Sequence, residues 1–334
     1  MGKVMIYGAT GYTGSLMCDQ AKHTGLKLIL AGRTHSSVQS AANKLDVPYR
    51  VFDVTVPKLL DSNLKGISVL LNCAGPFART AEPLVEACLR VGVHYLDTSA
   101  ELSTYLLAEK YDSKAKTAKV MLMPGCGGSV AIFGCLVARA LEKLNTLDVL
   151  DTVQQVDLAL HVSGPMSRGS AITAMANYNA KYMQRLDGQL TTQDATGTAL
   201  FDFGDGRGAV QCFPVTLPDI ITVHKSFGVS NVRTFANASG TAFPTGDLAA
   251  LPDGPTTDER DANPYHAAVA VTLLDGSVER SALRTVNGYT LIAMASVEAA
   301  SRVRAGYSVS GFQTATTVFG AGFMETVPGI LLDS

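Results

Sequence analysis

Short apolar runs alternate with amphipathic stretches through the first third of the chain. The runs predict six buried strands: Val4 to Tyr7, Lys27 to Ala31, Tyr49 to Val54, Ser68 to Ala74, Tyr95 to Thr98 and Val120 to Met123. Helical stretches separate them, and such crossovers join parallel strands. We therefore expect an α/β fold with a doubly wound parallel sheet in the strand order 3-2-1-4-5-6.

The pattern changes after Pro124. The later segments predict a helix, a strand, a second helix, a hairpin and a final helix: Ser129 to Lys143, Val156 to Val162, Ser170 to Leu186, His266 to Leu274 with Val278 to Val286, and Tyr289 to Arg304. Because hairpins pair strands antiparallel, this half indicates a second α+β domain with a largely antiparallel sheet. We predict that the first domain comprises residues 1–125 with about 306–334 and the second 126–305.

Three glycines at regular spacing follow the first strand. Gly8 allows a tight turn, Gly11 allows a ligand to approach the backbone, and Gly14 allows the next helix to pack closely. The N-terminus of that helix favours a phosphate, because its N–H groups and dipole are positive. The residues expected to bind a cofactor here are Gly8, Ala9, Thr10, Gly11, Tyr12, Thr13 and Gly14. The alternative is a strand–helix turn that binds nothing.

Arg33 follows the second strand directly. An acidic residue at this place usually bonds the ribose hydroxyls of NAD, whereas an arginine suits the 2′-phosphate of NADP. Arg33 therefore favours NADP(H), with an ordinary exposed arginine as the alternative. Asp53 follows the third strand, and it either lies near the adenine or caps the next turn.

The fourth strand leads into a loop at the predicted cofactor crevice. In an open parallel sheet, ligands bind beyond the carboxyl ends of the strands where the strand order reverses, here between strands one and four. The loop residues expected at the cofactor are Asn72, Cys73, Ala74, Gly75, Pro76 and Phe77. Phe77 would pack on a ribose, on the nicotinamide or on the substrate, or it would only anchor the loop.

Polar residues also follow the fifth and sixth strands. Asp97 and Glu101 could orient a substrate or relay a proton. The alternative for Glu101 is a capping box with Thr98 at the start of the next helix. Cys126 could touch the substrate or act catalytically, but nothing near it in the sequence activates a thiol, so packing is its alternative role.

The second domain offers further candidates for facing the cleft: His161, Arg168, Tyr178 and Lys181. Arg168 and Tyr178 are predicted to bind substrate, and Tyr178 is also a catalytic candidate. The alternative for each of the four, which the residues favour, is a structural or surface role. None of the eleven tyrosines has a lysine four residues on, which argues against the Tyr-x-x-x-Lys mechanism of short-chain dehydrogenases.

Composition narrows the partners. The 334 residues carry a formal net charge of −2, so no nucleic-acid partner is expected. The six cysteines lack metal-ligand spacing, which indicates free thiols in a reducing compartment and no metal site. The first strand begins near residue 3 and no apolar helix of membrane length is predicted, so we expect a cytoplasmic protein with no integral membrane segment.

Taken together, these residues resemble the saccharopine dehydrogenase-like (saccharopine reductase-type) NADP-dependent oxidoreductases. The matching segments are residues 8–14, 31–33, 71–77, 94–101, 124–129, 311–315 and 319–320. The resemblance implies a Rossmann domain completed by the C-terminal segment, and a second α+β domain that closes over the cofactor. Residues 97–101 and 125–128 depart from the motifs of many members, which implies a substrate other than an amino-acid conjugate.

The predicted function is the NADPH-dependent reduction of a C=N or C=O bond in a small organic substrate, with a C=C bond as the third choice. The alternative from another class is a non-catalytic NADP(H)-binding regulatory protein, a sensor that acts through a partner. A family scaffold attached to lipid or membrane is a further hypothesis. The antiparallel sheet could pair across a homodimer.

Overall fold

The computed structural model describes residues 2–144, 152–178, 181–242 and 247–332. The strands are β1 (Lys3–Tyr7), β2 (Leu28–Gly32), β3 (Tyr49–Val51), β4 (Ile67–Asn72), β5 (His94–Asp97), β6 (Met121–Met123), β7 (Val153–Ser163), β8 (Met183–Leu186), β9 (Gln189–Thr192), β10 (Ala199–Asp202), β11 (Ala209–Pro214), β12 (Val232–Ser239), β13 (Tyr265–Leu273), β14 (Val278–Thr285), β15 (Gly311–Phe312) and β16 (Leu331–Leu332).

Helices occupy most of the connections between these strands. They are α1 (Tyr12–His23), α2 (His35–Leu45), α3 (Pro57–Asn63), α4 (Phe77–Val91), α5 (Leu102–Ala118), α6 (Ser129–Lys143), α7 (Arg168–Tyr178), α8 (Asp219–Phe227), α9 (Thr257–Asp261), α10 (Gly288–Arg304) and α11 (Ala315–Phe319). Within the described ranges, no helix combines the length and the apolarity needed to cross a bilayer.

The first sheet is parallel and doubly wound. Its strand order is β3-β2-β1-β4-β5-β6-β15, and every neighbouring pair is parallel. The predicted order of the six N-terminal strands is therefore confirmed. β2 is buried along its whole length, as expected for a strand covered on both faces. β15 pairs with β6, so a C-terminal segment completes this sheet, as the family resemblance implied.

The second sheet is mixed and mostly antiparallel. Its main order is β10-β11-β12-β7-β13-β14-β16, with β8 pairing on β12 and β9 on β8. Only the β12–β7 pair of these described strands is parallel. β13 and β14 form the predicted hairpin, with Tyr265 opposite Thr285 at its open end. The predicted fold class, a Rossmann sheet with a second α+β domain, is confirmed.

One predicted helix was wrong in its C-terminal part. The segment Ser170 to Leu186 was expected to be helical, but α7 ends at Tyr178 and β8 begins at Met183. Asp187 and Gly188 both have positive φ, 48° and 74°, and they join β8 to β9 as a two-residue hairpin turn. An Asp-Gly pair is a strong sequence signal for such a turn, so the hairpin was predictable.

The chain divides into two compact units, each built around one sheet. The first comprises Met1–Gly128 with Tyr289–Val318, and the second comprises Ser129–Gly288 with Phe319–Ser334. At the C-terminal side these units differ from the predicted domains, because residues 289–305 fall in the first unit and the tail from Phe319 in the second. β16 explains the second difference, since it pairs with β14. The predicted domain bounds themselves stay a prediction.

Candidate functional site

The glycine turn after β1 is packed too closely for side chains at two of its three glycines. Gly8 has a φ of 84°, and a Cβ atom there would lie 2.8 Å from the backbone nitrogen of Ala74. A Cβ atom at Gly14 would lie 2.1 Å from the carbonyl oxygen of Gly8. Glycine at these positions lets the loops after β1 and β4 touch, and lets α1 approach the strand. Gly8 and Gly14 therefore shape the turn.

Gly11 has a different place in the turn. It is the N-cap of α1, with a φ of −76°, and a Cβ atom there would come no closer than 3.4 Å to the carbonyl oxygen of Gly8. The N-cap position offers no side chain to the helix, and the first turn contains no acidic residue. The first-turn N–H groups and the positive end of the helix dipole can therefore accept an anionic ligand.

The N-terminus of α4, by contrast, already carries a carboxylate. Glu101 Oε1 accepts a hydrogen bond from the backbone N–H of Phe77, and Oε2 accepts one from Ala78, both at 2.9 Å. The predicted capping box with Thr98 was wrong, because Glu101 is itself the N-cap of α5 and its side chain makes no capping bond there. The carboxylate does cap a helix, but a different one. Its catalytic role stays a prediction.

We expect the Glu101→Ala variant to be less stable by about 1–2 kcal/mol, because two N–H groups of α4 lose a charged acceptor. Urea unfolding measures this free energy. The matched control is Glu109→Ala, which removes an exposed glutamate from α5. Equal stability of the two variants would show that the cap at α4 contributes nothing.

Arg33 and Asp53 lie just beyond β2 and β3. The Arg33 side chain is exposed and makes no ion pair with any residue that the structure describes. Asp53 Oδ1 accepts hydrogen bonds from the backbone N–H and the hydroxyl of Thr55, at 2.9 and 2.8 Å. These bonds lower the pKa of Asp53, and the positive charge of Arg33 lowers it further. Asp53 thus caps its turn, and its contact with an adenine stays a prediction.

The loop after β4 is organised by Asn72, which is fully buried. Its Nδ2 donates to Thr80 Oγ1 at 3.1 Å and to the Tyr95 hydroxyl at 3.2 Å, and its Oδ1 accepts from the Ala74 N–H at 3.0 Å. Cys73 Sγ lies 3.1 Å from Met17 Sδ on α1. These contacts fix the loop against the glycine turn.

The far end of this loop is more accessible. Gly75 and Pro76 are exposed, and Phe77 is partly buried. Phe77 belongs to the first turn of α4, which begins at this residue. Contacts of these residues with a cofactor or substrate stay a prediction.

Asp97 is held inside the first unit by three hydrogen bonds. Oδ1 accepts from the N–H groups of Ser99 and Gly125, and Oδ2 accepts from the Tyr95 hydroxyl, all at 2.9 Å. The side chain has no solvent exposure. Burial raises the pKa of Asp97 to about 6, while the hydrogen bonds oppose that rise. Asp97 therefore ties β5 to the loop after β6, and proton relay by this residue stays a prediction.

Cys126 is also fully buried. Burial raises the pKa of its thiol to about 12, so the thiolate is not formed at neutral pH. The preceding residue, Gly125, has a φ of 62°, and a Cβ atom there would lie 1.9 Å from the Tyr105 hydroxyl. This packing supports the alternative that the sequence left open for Cys126, a role in the core.

Residues 4–123 match a family model described as the saccharopine dehydrogenase NADP binding domain. The matched residues include the glycine turn, Arg33 and the loop after β4. The predicted resemblance to saccharopine dehydrogenase-like oxidoreductases is thereby confirmed.

Curated relatives match smaller parts of the chain. A trans-acting enoyl reductase of Mycobacterium tuberculosis (strain ATCC 25618 / H37Rv) is 32% identical over 106 residues, which are 30% of this chain and 25% of that protein. A human saccharopine dehydrogenase-like oxidoreductase is 29% identical over 185 residues, which are 48% of this chain and 42% of that protein. The matches therefore span less than half the length of these relatives.

A solved structure matches the whole fold. Apo saccharopine dehydrogenase (L-Glu forming) from Saccharomyces cerevisiae aligns with a TM-score of 0.66 and 12% identity, and the alignment covers 100% of both chains. At this identity the likeness concerns the fold. It agrees with a saccharopine dehydrogenase-like arrangement of a parallel Rossmann sheet and a second, mostly antiparallel sheet.

The family match ends at residue 123, so the candidates of the second unit depend on their own geometry. The Arg168 guanidinium donates to the carbonyl oxygen of Leu251 at 2.9 and 2.6 Å, and it pairs with Asp253 at 3.2 Å. These partners commit Arg168 to fixing the loop at 251–253, and its substrate contact stays a prediction. Lys181 is exposed and lies beyond the end of α7, so the prediction that a helix carries it was wrong. Tyr178 ends α7, but its side chain lies outside the described part of the structure.

Proposed function

We propose that this protein is an NADP(H)-dependent reductase of a small organic substrate. The observation that carries the proposal is the N-terminus of α1, where Gly11 offers no side-chain cap and stands clear of its neighbours. Such a terminus suits the pyrophosphate of a dinucleotide. The family match of residues 4–123 supports the same ligand.

Each part of the first unit has a task in this proposal. Gly8 and Gly14 bring β1 and α1 together, and Gly11 leaves the approach to the N–H groups open. Arg33 supplies a planar, permanently charged donor for the 2′-phosphate. Asn72 holds the loop after β4 in place beside the turn. NADPH supplies a hydride when it is bound, and the protein supplies its position and surroundings.

The Arg33→Ala variant is expected to bind NADPH about tenfold more weakly or worse, because a charge-assisted contact with the 2′-phosphate is lost. NADH has no such phosphate, so its affinity should stay unchanged. Titration calorimetry with both dinucleotides measures the difference. Lys44→Ala, which removes one exposed positive charge from α2, is the matched control. An equal loss of NADPH and NADH affinity in Arg33→Ala would reject the assignment of Arg33.

The type of bond that is reduced is a separate part of the proposal. We propose a C=N or C=O bond, as the sequence indicated. The relatives named trans-acting enoyl reductase support a C=C bond as the next candidate, although the match covers only 30% of this chain. Oxidation of NADPH should be followed with matched imines, ketones and α,β-unsaturated thioesters. Turnover of the thioesters alone would replace the C=N or C=O proposal by enoyl reduction.

A non-catalytic dinucleotide sensor is the second candidate. It is favoured by the side chains of Asp97, Glu101 and Cys126, which are engaged in capping or packing. Micromolar binding of NADPH without turnover in any substrate series would support the sensor and contradict the reductase. Absence of binding would contradict both. A cytoplasmic location and a homodimer stay predictions.

A further inference from the structure

Two buried histidines lie side by side on neighbouring strands of the second sheet. His161 on β7 is paired in register with His266 on β13, and the two side chains are 6% and 7% exposed. Their Nδ1 atoms lie 3.5 Å apart. The same strands place Ala159 opposite Ala268 two residues away, where the sheet face is apolar. The two histidines are therefore buried polar side chains that lie directly beside a hydrophobic cluster.

The hairpin of β10 and β11 brings a carboxylate to this pair. Phe201 and Phe203 belong to the hydrophobic cluster on this sheet, and the Phe203 ring lies 5.8 Å from the His161 ring. The connecting loop contains Gly204, Asp205 and Gly206, and both glycines have positive φ. The phenylalanines thus anchor the hairpin, and the loop presents Asp205. One ligand atom each from His161, Asp205 and His266 lie within 4.8 Å of one another.

We propose that His161, Asp205 and His266 form a binding site for one divalent transition-metal ion, with Zn²⁺ as the best fit. Two imidazoles and a carboxylate are ligands that zinc commonly takes. Tetrahedral zinc with Zn–N bonds of about 2.0–2.1 Å places two nitrogen ligands about 3.3–3.4 Å apart. The observed separation of 3.5 Å between the two Nδ1 atoms fits that geometry closely.

Neighbouring groups orient two of these ligands. His161 Nε2 lies 3.0 Å from Ser239 Oγ. When Nε2 donates its proton to this hydroxyl, Nδ1 carries the lone pair and faces His266. A metal-bound histidine usually donates its other ring N–H to a neighbouring acceptor in this way. Asp205 Oδ2 accepts from Arg207 Nε and Nη2, at 2.7 and 2.6 Å, and Oδ1 accepts from the Arg207 N–H at 3.1 Å. Each carboxylate oxygen has a second lone pair, so Oδ1 can also bind a metal.

Three protein ligands leave a fourth tetrahedral position for a water molecule or an anionic ligand. The metal would join β7, β13 and the β10–β11 loop at one point. This site is independent of the dinucleotide proposal, because all of its residues lie in the second unit. It also departs from the expectation that the chain has no metal site. The three residues are far apart in sequence, so no ligand spacing could reveal them.

The test is metal content and affinity in the full chain. Chelator-treated protein is titrated with Zn²⁺ and, separately, with Co²⁺, and bound metal is counted by mass spectrometry after dialysis. We expect one ion per chain and the visible bands of four-coordinate Co²⁺, without the near-ultraviolet bands of a cysteine thiolate ligand. His266→Gln should weaken Zn²⁺ binding by about 100-fold or more, and Asp205→Asn by about tenfold or more.

His23→Gln is the matched control, because this histidine is exposed in the last turn of α1. It should bind Zn²⁺ like the wild type. Circular dichroism checks the fold of each variant, and Asp205→Asn keeps the test decisive if the loss of a buried histidine unfolds the unit. Wild-type protein that retains no metal, thiolate bands with Co²⁺, or unchanged affinity in Asp205→Asn and His266→Gln would each overturn the site. The two histidines would then be only a hydrogen-bonded pair.

Discussion

Replacement of Gly11 by aspartate is expected to abolish dinucleotide binding while the fold stays intact. The backbone at Gly11 has φ −76° and ψ 166°, which any residue can adopt, and a Cβ atom would have room there. Aspartate is a favoured N-cap, and its carboxylate would accept hydrogen bonds from the N–H groups that would otherwise bind a phosphate. Two like charges about 4 Å apart repel by about 4 kcal/mol at an effective dielectric constant of 20. We therefore expect NADPH affinity to fall by about 100-fold or more.

Two other substitutions separate charge from space. Gly11→Ala adds a methyl group without charge and should reduce affinity far less than Gly11→Asp. Gly14→Ala places a Cβ atom 2.1 Å from the Gly8 carbonyl oxygen, so it should lower both stability and binding. Calorimetry gives the affinities, and urea unfolding gives the stabilities. If Gly11→Asp bound NADPH as tightly as the wild type, the phosphates would have to lie away from this turn.

The first sheet could be predicted from the sequence because its information is local. Apolar runs mark buried strands, and the handedness of crossovers then leaves few possible orders. Gly8, Gly11 and Gly14 have their roles within one strand–turn–helix unit, and for this reason the cofactor turn could be recognised. Local patterns could not predict β15, since two residues carry no periodic pattern. Only the family resemblance implied that a C-terminal segment completes this sheet.

Side chains that act across the fold could not be predicted in the same way. Glu101 has a local partner in the sequence, Thr98, yet its carboxylate reaches the N-terminus of α4. Which helix Glu101 caps depends on the positions at which β4 and β5 end in the folded sheet. The spacing of residues along the sequence does not contain this information. His161, Asp205 and His266 meet through strand register and a hairpin anchored by phenylalanines. Tertiary contacts decide such clusters, and a single sequence contains them only implicitly.

Asp219→Asn is expected to stabilise the protein at pH 7 and above, and to have little effect near pH 4. Asp219 begins α8 and is fully buried; Oδ2 has a hydroxyl partner in Ser129 at 3.4 Å, and Oδ1 has no hydrogen-bond partner. Burial raises the pKa of Asp219 from 3.8 to about 7. The folded protein therefore keeps a proton that the unfolded chain loses as the pH rises above 4. Its stability must fall through this range, because unfolding releases the proton.

The full shift corresponds to a loss on the order of 4 kcal/mol once the pH exceeds 7. Asparagine has the shape of the protonated acid and no charge to bury, so the variant escapes this loss. Urea unfolding between pH 4 and pH 8 measures the difference from the wild type. Asp258→Asn, at an exposed position of α9, is the matched control. A constant difference between Asp219→Asn and the wild type over this range would mean that Asp219 ionises equally in the folded and unfolded chains.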